Sequence, residues 1–330
     1  MKERMTRKLL ILAMVLSAFV SANAQSVNVK TYTYTHRGEQ PLCLDVYSVN
    51  EEVEPCLLYV FGGAFLTGSR AEKEVVEVYE YFARNGWKVV AIDYRLGLKP
   101  LIEEPDVKRS LFDFRAMLVD AIDVAVEDLL EATAYLVANS SVLGIDPEKI
   151  VTLGASAGAI TVCQAEWALC NSHPMSAVLP ANFDYAGVIS MAGAICASGR
   201  KLEWAKEPCP MLLFHGNADR NVPYGKQSLL SVSLFGSEAI AESLDERGAP
   251  YWFYDANNMD HNFSWRPMYY LRPEIEMFAE RMAFGGERLQ IHQVVNDMSL
   301  EEKEHNFGLK DYIEANFAPG IPRGVDAAVY

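Results

Sequence analysis

The chain has 330 residues, half of them hydrophobic, with 29 lysines and arginines against 44 aspartates and glutamates and a formal net charge of −15. A core in a chain this long removes about three quarters of the extended surface from water, and the composition excludes a disordered, collagen-like or disulfide-framework protein. The acidic balance argues against nucleic acid or anionic lipid as partners.

Residues 1–24 read as a targeting segment. Lys2, Arg4, Arg7 and Lys8 make a basic start interrupted by Glu3, and residues 9–20 are almost purely apolar. Ala22-Asn23-Ala24 then puts small residues where a signal peptidase cuts, with Gln25 as the new N-terminus. A membrane anchor is the rival reading, but twelve residues of helix span only about 18 Å of a ~30 Å hydrocarbon core. The expectation is a periplasmic or secreted protein with no stable membrane span after processing.

Export permits disulfides. Of the six cysteines, Cys43 and Cys56 lie in consecutive strand-like runs, and Cys196 and Cys209 flank one loop. These are the candidate pairs. The alternative is that all six, Cys163 and Cys170 included, are free thiols acting as small hydrophobes. No CxxC or Cys/His spacing suggests zinc, so no metal is expected.

Along the chain, residues 28–35 and 41–48 alternate as strands. Short continuous apolar runs follow at 57–61, 89–92, 150–153, 188–191, 211–214 and 251–254, as suits strands covered on both faces of a parallel sheet. Helical stretches fall between them at 71–85, 115–139, 157–169, 225–246 and 272–283. The pattern predicts an α/β fold with a mostly parallel central sheet, helices on both faces and an antiparallel start. Residues 96–114 read as a polar loop. No interdomain linker is visible, so 25–284 form one domain and 285–330 extend it as a surface tail with a short helix around 300–316.

The sharpest motif is Gly154-Ala155-Ser156-Ala157-Gly158, which follows an apolar strand and opens a helix. A serine lifted onto such a tight turn needs small neighbours, and the helix N-terminus behind it favours a developing negative charge. A base and an orienting carboxylate must complete the chemistry. His261 follows the strand 251–254 and precedes the last helix. Asp219 lies in the loop after the strand 211–214, and the order Ser156, Asp219, His261 is that of a hydrolase. The competing reading makes Asp219 a surface partner of Arg220. Among the other histidines, His215 ends its strand and reads as a structural residue shaping the acid loop. Asp260 adjoins His261 but is expected to point elsewhere. Phe61-Gly62-Gly63-Ala64-Phe65 follows the strand 57–60, where small residues let backbone N–H groups approach an oxyanion. Gly62, Gly63 and Ala157 are the candidate donors.

With these pieces assembled, residues 40–284 resemble the α/β-hydrolases, and more narrowly the esterase/lipase group of hormone-sensitive-lipase-like enzymes and carboxylesterases. Phe61-Gly62-Gly63-Ala64 stands where that group has His-Gly-Gly-Gly, and Asp93-Tyr94-Arg95-Leu96 matches its Asp-Tyr-Arg-Leu segment. Gly144-Ile145-Asp146-Pro147 precedes the elbow strand, and the segment from His215 to Pro223 matches the acid loop. The resemblance implies Ser156 as nucleophile, Asp219 as acid, His261 as base, Gly62, Gly63 and Ala157 as oxyanion donors (Ala64 replacing Gly62 if the loop sits one residue over) and no cofactor. It implies hydrolysis of a small-molecule or carbohydrate ester, with acetyl or feruloyl groups as a narrower version. Trp265, Tyr269 and Tyr270 are then candidates to stack on a sugar or aryl ring. A serine peptidase and a catalytically idle hydrolase-like binding protein are the competing classes.

Overall fold

The computed structural model describes residues 26–104, 106–305 and 308. The targeting segment 1–24 and most of the expected 300–316 helix lie outside them. β1 (Asn28–Arg37) and β2 (Gln40–Ser48) form an antiparallel hairpin, and β2 pairs antiparallel with β4 (Lys88–Ile92). Parallel pairing then runs from β4 through β3 (Glu54–Val60), β5 (Ile145–Ala155), β6 (Gly187–Met191), β8 (Met211–Gly216) and β11 (Tyr251–Asn257) to β12 (Gln290–Asn296). The sheet order is therefore β1-β2-β4-β3-β5-β6-β8-β11-β12.

The continuous apolar runs sit in the middle of this sheet because both of its faces are covered. Every residue of β4, β6 and β8 is buried. A fully withdrawn side chain such as Leu58 or Phe214 contributes about 1.5–3 kcal/mol by transfer from water. Helix α1 (Lys73–Arg84) reaches α5 (Arg272–Phe278) through a 3.0 Å bond from Tyr81 Oη to Glu276 Oε1. Helix α2 (Leu111–Ala138) packs along α3 (Ala157–Cys170), and α4 (Ser237–Arg247) contacts β8 and β11.

Several expectations are corrected. Helix α2 begins four residues earlier than its periodicity suggests, because Ser110 and Asp113 make a reciprocal capping box. A helical turn, Pro100–Glu103, lies within the expected loop. Residues 225–246 are a helix only from Ser237 onward. Before it, β9 (Lys226–Leu229) and β10 (Val232–Gly236) form a hairpin that β7 (Ala194–Ala197) joins as a second, antiparallel sheet. The tail is not padding either, since residues 290–296 are the ninth strand of the main sheet, and 301–305 carry no helix.

All six cysteines are free thiols, so neither expected disulfide is formed. β4 separates the strands of Cys43 and Cys56, and two strand spacings, about 9.5 Å, exceed what a disulfide spans. The amides of Cys196 and Cys209 are held by different side chains of α3, at 2.7 Å from Gln164 Oε1 and 2.9 Å from Glu166 Oε1.

Candidate active site

Ser156 stands between β5 and α3 with φ +52° and ψ −117°, a region in which a side chain is strained. The turn is possible because its flanks are bare. An added Cβ on Gly158 would lie 2.0 Å from the Val60 carbonyl oxygen, and one on Gly154 would lie 2.3 Å from the carbonyl oxygen of Gly158. The helix thus starts directly against the ends of β3 and β5. Ser156 N donates to Met191 O at 2.9 Å, which pins the elbow to β6.

Ser156 Oγ lies 2.9 Å from His261 Nε2, and His261 Nδ1 lies 2.7 Å from Asp219 Oδ2. His261 opens a short 3₁₀ turn after β11, and Asp219 sits in the loop after β8. Adjacent strands therefore bring together residues far apart in sequence. Asp219 is 2 % exposed, as an orienting carboxylate requires and a surface ion pair would not allow. Its Oδ1 accepts from the amides of Asn221 (2.8 Å) and Val222 (3.0 Å). Its Oδ2 also lies 3.3 Å from His215 Nε2. Burial acts to raise the Asp219 carboxyl, but the charge of His261 and the hydrogen bonds from His215 and His261 outweigh it and hold the group below the ordinary aspartate value. The arrangement keeps Asp219 anionic, fixes a proton on His261 Nδ1 and leaves Nε2 free to accept the serine proton.

His215 is fully buried and bonds Ser237 Oγ at 2.8 Å through Nδ1. It shapes the acid loop, as its place at the end of β8 suggests. Asp260 indeed points elsewhere: Oδ1 accepts from Asn262 N at 3.1 Å, and Oδ2 pairs with Lys303.

The Gly62–Phe65 loop comes up beside the elbow. A Cβ on Gly62 would lie 2.9 Å from Ala155 O and 3.3 Å from Ser156 Cβ. Gly63 has φ +113°, and Ala64 and Phe65 follow at +55° and +57°, uncommon values outside glycine. The Asp93–Leu96 segment holds this loop and its neighbours. Tyr94 Oη donates to Phe61 O at 2.9 Å, and its ring packs 4.4 Å from that of Phe61. Arg95 Nε donates to the buried Asp128 of α2 at 2.9 Å, and Asp93 pairs with Arg70. Leu98 N closes the far side of the loop on Phe65 O at 3.0 Å. The sequence singled out this segment by resemblance; the bonds give the physical reason.

The aromatic residues after His261 divide. Tyr269 Oη donates to Glu74 O at 2.7 Å and is anchored against α1. Tyr270 is 72 % exposed, and Trp265 is half-buried beside Tyr269. Among the described residues, no group of three or more His, Cys, Asp or Glu side chains is placed to hold a metal ion, and no helix is long and apolar enough to cross a membrane.

No family model matches this chain. Solved structures do. The native form of a thermophilic esterase, Est2, from the Planctomycetes species Thermogutta terrifontis aligns with a TM-score of 0.54 at 20% identity, covering 78% of this chain and 95% of that one. The chain has the α/β-hydrolase fold. The propionate-bound form of Est2 aligns at 0.53 and 20% identity over 76% and 94% of the two chains. The same organism's esterase 2 phosphorylated by paraoxon aligns at 0.52 and 20% over 76% and 93%. The α/β-hydrolase sheet thus places a serine, a histidine and an aspartate of this chain in one hydrogen-bonded line.

Proposed function

We propose that this protein is an exported serine ester hydrolase of the hormone-sensitive-lipase-like or carboxylesterase-like kind, with Ser156 as nucleophile, His261 as base and Asp219 as acid. The observation that carries this reading is the 2.9 Å approach of Ser156 Oγ to His261 Nε2, with Asp219 at the other ring nitrogen. The likeness to an esterase that paraoxon phosphorylates supports it.

Ser156 Oγ attacks the ester carbonyl carbon while its proton passes to His261 Nε2. The oxyanion rests on the N–H groups of Gly62, Gly63 and Ala157, each worth about 2.7–4 kcal/mol in the transition state by analogy with other such donors. Collapse expels the alcohol, which takes the proton from His261 and leaves an acyl-Ser156. Water then gives a proton to His261 as it attacks the acyl carbon, and collapse releases the acid while His261 returns that proton to Ser156 Oγ. Each step uses only this chain, water and the substrate.

The substrate class we assign is small esters, carbohydrate acetyl or feruloyl esters among them. Trp265 and the exposed Tyr270, which follow His261 in the sequence, are the rings that the carbohydrate version assigns to a sugar or aryl group. Export rests on the targeting segment 1–24.

Fluorophosphonate labelling of the chain from Gln25 tests the reading, with peptide mass spectrometry to locate the adduct and a panel of acetyl, feruloyl and p-nitrophenyl esters. Labelling at Ser156 that disappears in Ser156→Ala, together with ester turnover, is expected. A folded protein that neither labels nor hydrolyses esters, or that cleaves only peptide amides, overturns it.

A further inference from the structure

β12 runs parallel to β11, so the two strands end at the same edge of the sheet, and the chain leaves Asn296 beside the turn that carries His261. Asp297 then reverses it. Its Oδ1 accepts from Ser299 N at 2.9 Å and Ser299 Oγ at 2.6 Å, and its carbonyl accepts from Leu300 N at 3.1 Å. The reversal sends residues 301–305 back over the His261 turn. There Lys303 N donates to Asn258 Oδ1 at 3.1 Å, and His305 Nε2 lies 3.0 Å from the same oxygen. Lys303 Nζ reaches Asp260 Oδ2 at 2.6 Å.

Asn258 and Asp260 are the residues through which the His261 turn is held. Asn258 has φ +59°, a left-handed value that asparagine tolerates better than most residues. Its amide donates to Asn217 Oδ1 of the acid loop at 2.8 Å. The Met259 carbonyl accepts from Ala218 N at 3.0 Å. Asp260 caps the 3₁₀ turn that His261 opens. The turn is therefore gripped from the acid loop on one side and from residues 303–305 on the other.

We propose that residues 297–305 are a strap that positions the catalytic histidine, with Lys303 as a positioning residue acting through Asp260. This rests on the triad reading given above. A misplacement of about 1 Å in a reacting group is enough to cost a large factor in rate, and Asp260 is the residue covalently next to His261. The Lys303–Asp260 pair has side chains 42% and 41% exposed, and exposed pairs contribute little to global stability. Its effect is therefore on local geometry, which separates rate from stability.

The test uses the full chain with Lys303→Arg, Lys303→Ala and Lys303→Glu, assayed on a p-nitrophenyl ester, with fluorophosphonate labelling of the unsubstituted protein alongside. The expected order of kcat is unsubstituted, Arg, Ala, Glu. Arg stays near the unsubstituted value and Ala falls about three- to tenfold, with Glu lower still because it meets Asp260 with like charge. KM and Tm stay unchanged, and amide exchange in peptides covering 257–265 quickens in the same order. Unsubstituted kcat and exchange protection in Lys303→Glu overturn the strap, as does a loss of kcat that tracks a loss of Tm across all three variants. Failure of the unsubstituted protein to label overturns the esterase reading instead, and the exchange experiment still decides the strap.

Discussion

His215 and His261 direct imidazole nitrogens at the same oxygen of Asp219, at 3.3 Å and 2.7 Å. For His215 to donate from Nε2, its Nδ1 must accept from the Ser237 hydroxyl, which lies 2.8 Å away. This links the first turn of α4 to the acid through one buried ring. Replacing His215 by Phe keeps a ring in place and removes the donor. The expected cost is about 1–3 kcal/mol of stability, as for other buried groups left short of a partner, with a fall in kcat smaller than that of Asp219→Asn. Urea unfolding and steady-state kinetics on the same preparation check both; unchanged values in each would make the contact idle.

Asp219→Asn keeps the shape of the acid but presents an amide to His261. The imidazole then loses the partner that fixes its Nδ1 proton, and Nε2 no longer reliably faces Ser156 as an acceptor. We expect kcat to fall about 10⁴-fold with the fold retained, as when a triad carboxylate is neutralised elsewhere. Steady-state kinetics and circular dichroism test this; activity within tenfold of the unsubstituted protein would move the acid to another residue.

Gly158 is where the elbow helix touches the sheet. A methyl group there would sit 2.0 Å from Val60 O and 2.6 Å from Phe61 O, both backbone atoms with little room to move. Gly158→Ala should destabilise the protein by about 3 kcal/mol or more, at the upper end of overpacking costs, and should disturb the Gly62 loop that follows Phe61. Thermal unfolding measures the first effect, and fluorophosphonate labelling rate the second. A Tm equal to that of the unsubstituted protein would mean that the helix can shift away from β3.

Much of this was legible in the residues. The elbow announces itself because glycine and alanine flank Ser156 on both sides between an apolar strand and a helix, and the chain order of Asp219 and His261 follows from the strands that precede them. The hairpin of β9 and β10 was hidden for a physical reason. Its reversal passes through Leu230 at φ +59°, where neither glycine, asparagine nor proline marks a turn, so the surrounding serines and leucines read as a helix. β12 was hidden by exposure. It is an edge strand with only alternate residues partly covered, so it lacks the continuous apolar run that betrayed its neighbours. The contacts of residues 303–305 with Asn258 and Asp260 depend on that strand, and no local pattern could have disclosed them.

Glu166 gives a test by pH. It is 1 % exposed, with Oε1 bonded to Cys209 N and Cys170 Sγ and Oε2 without a partner. Burial raises its pKa above the ordinary glutamate value, against the opposing pull of those two donors. A carboxyl raised in the folded state stabilises most fully below its unfolded value of about 4.3, and that contribution is lost as pH rises through the folded value. Glu166→Gln should therefore gain on the unsubstituted protein as pH rises from about 4 to about 8. Urea midpoints across that range measure the difference; a gap independent of pH would show that the carboxyl titrates normally.

The position of β12 outside β11 also sets an order of events in synthesis. A chain made from its N-terminus has the serine turn available once residue 170 has emerged, and the acid loop some fifty residues later. The turn bearing His261 is made next, yet its outer neighbour begins with β12, the last of the described elements to be made. Any product released before that point leaves the His261 turn at an uncovered sheet edge, without the bonds that Lys303 makes to Asn258 and Asp260. Completion of the main sheet on this side therefore waits on its last-made strand, which joins an edge that every earlier strand has left open.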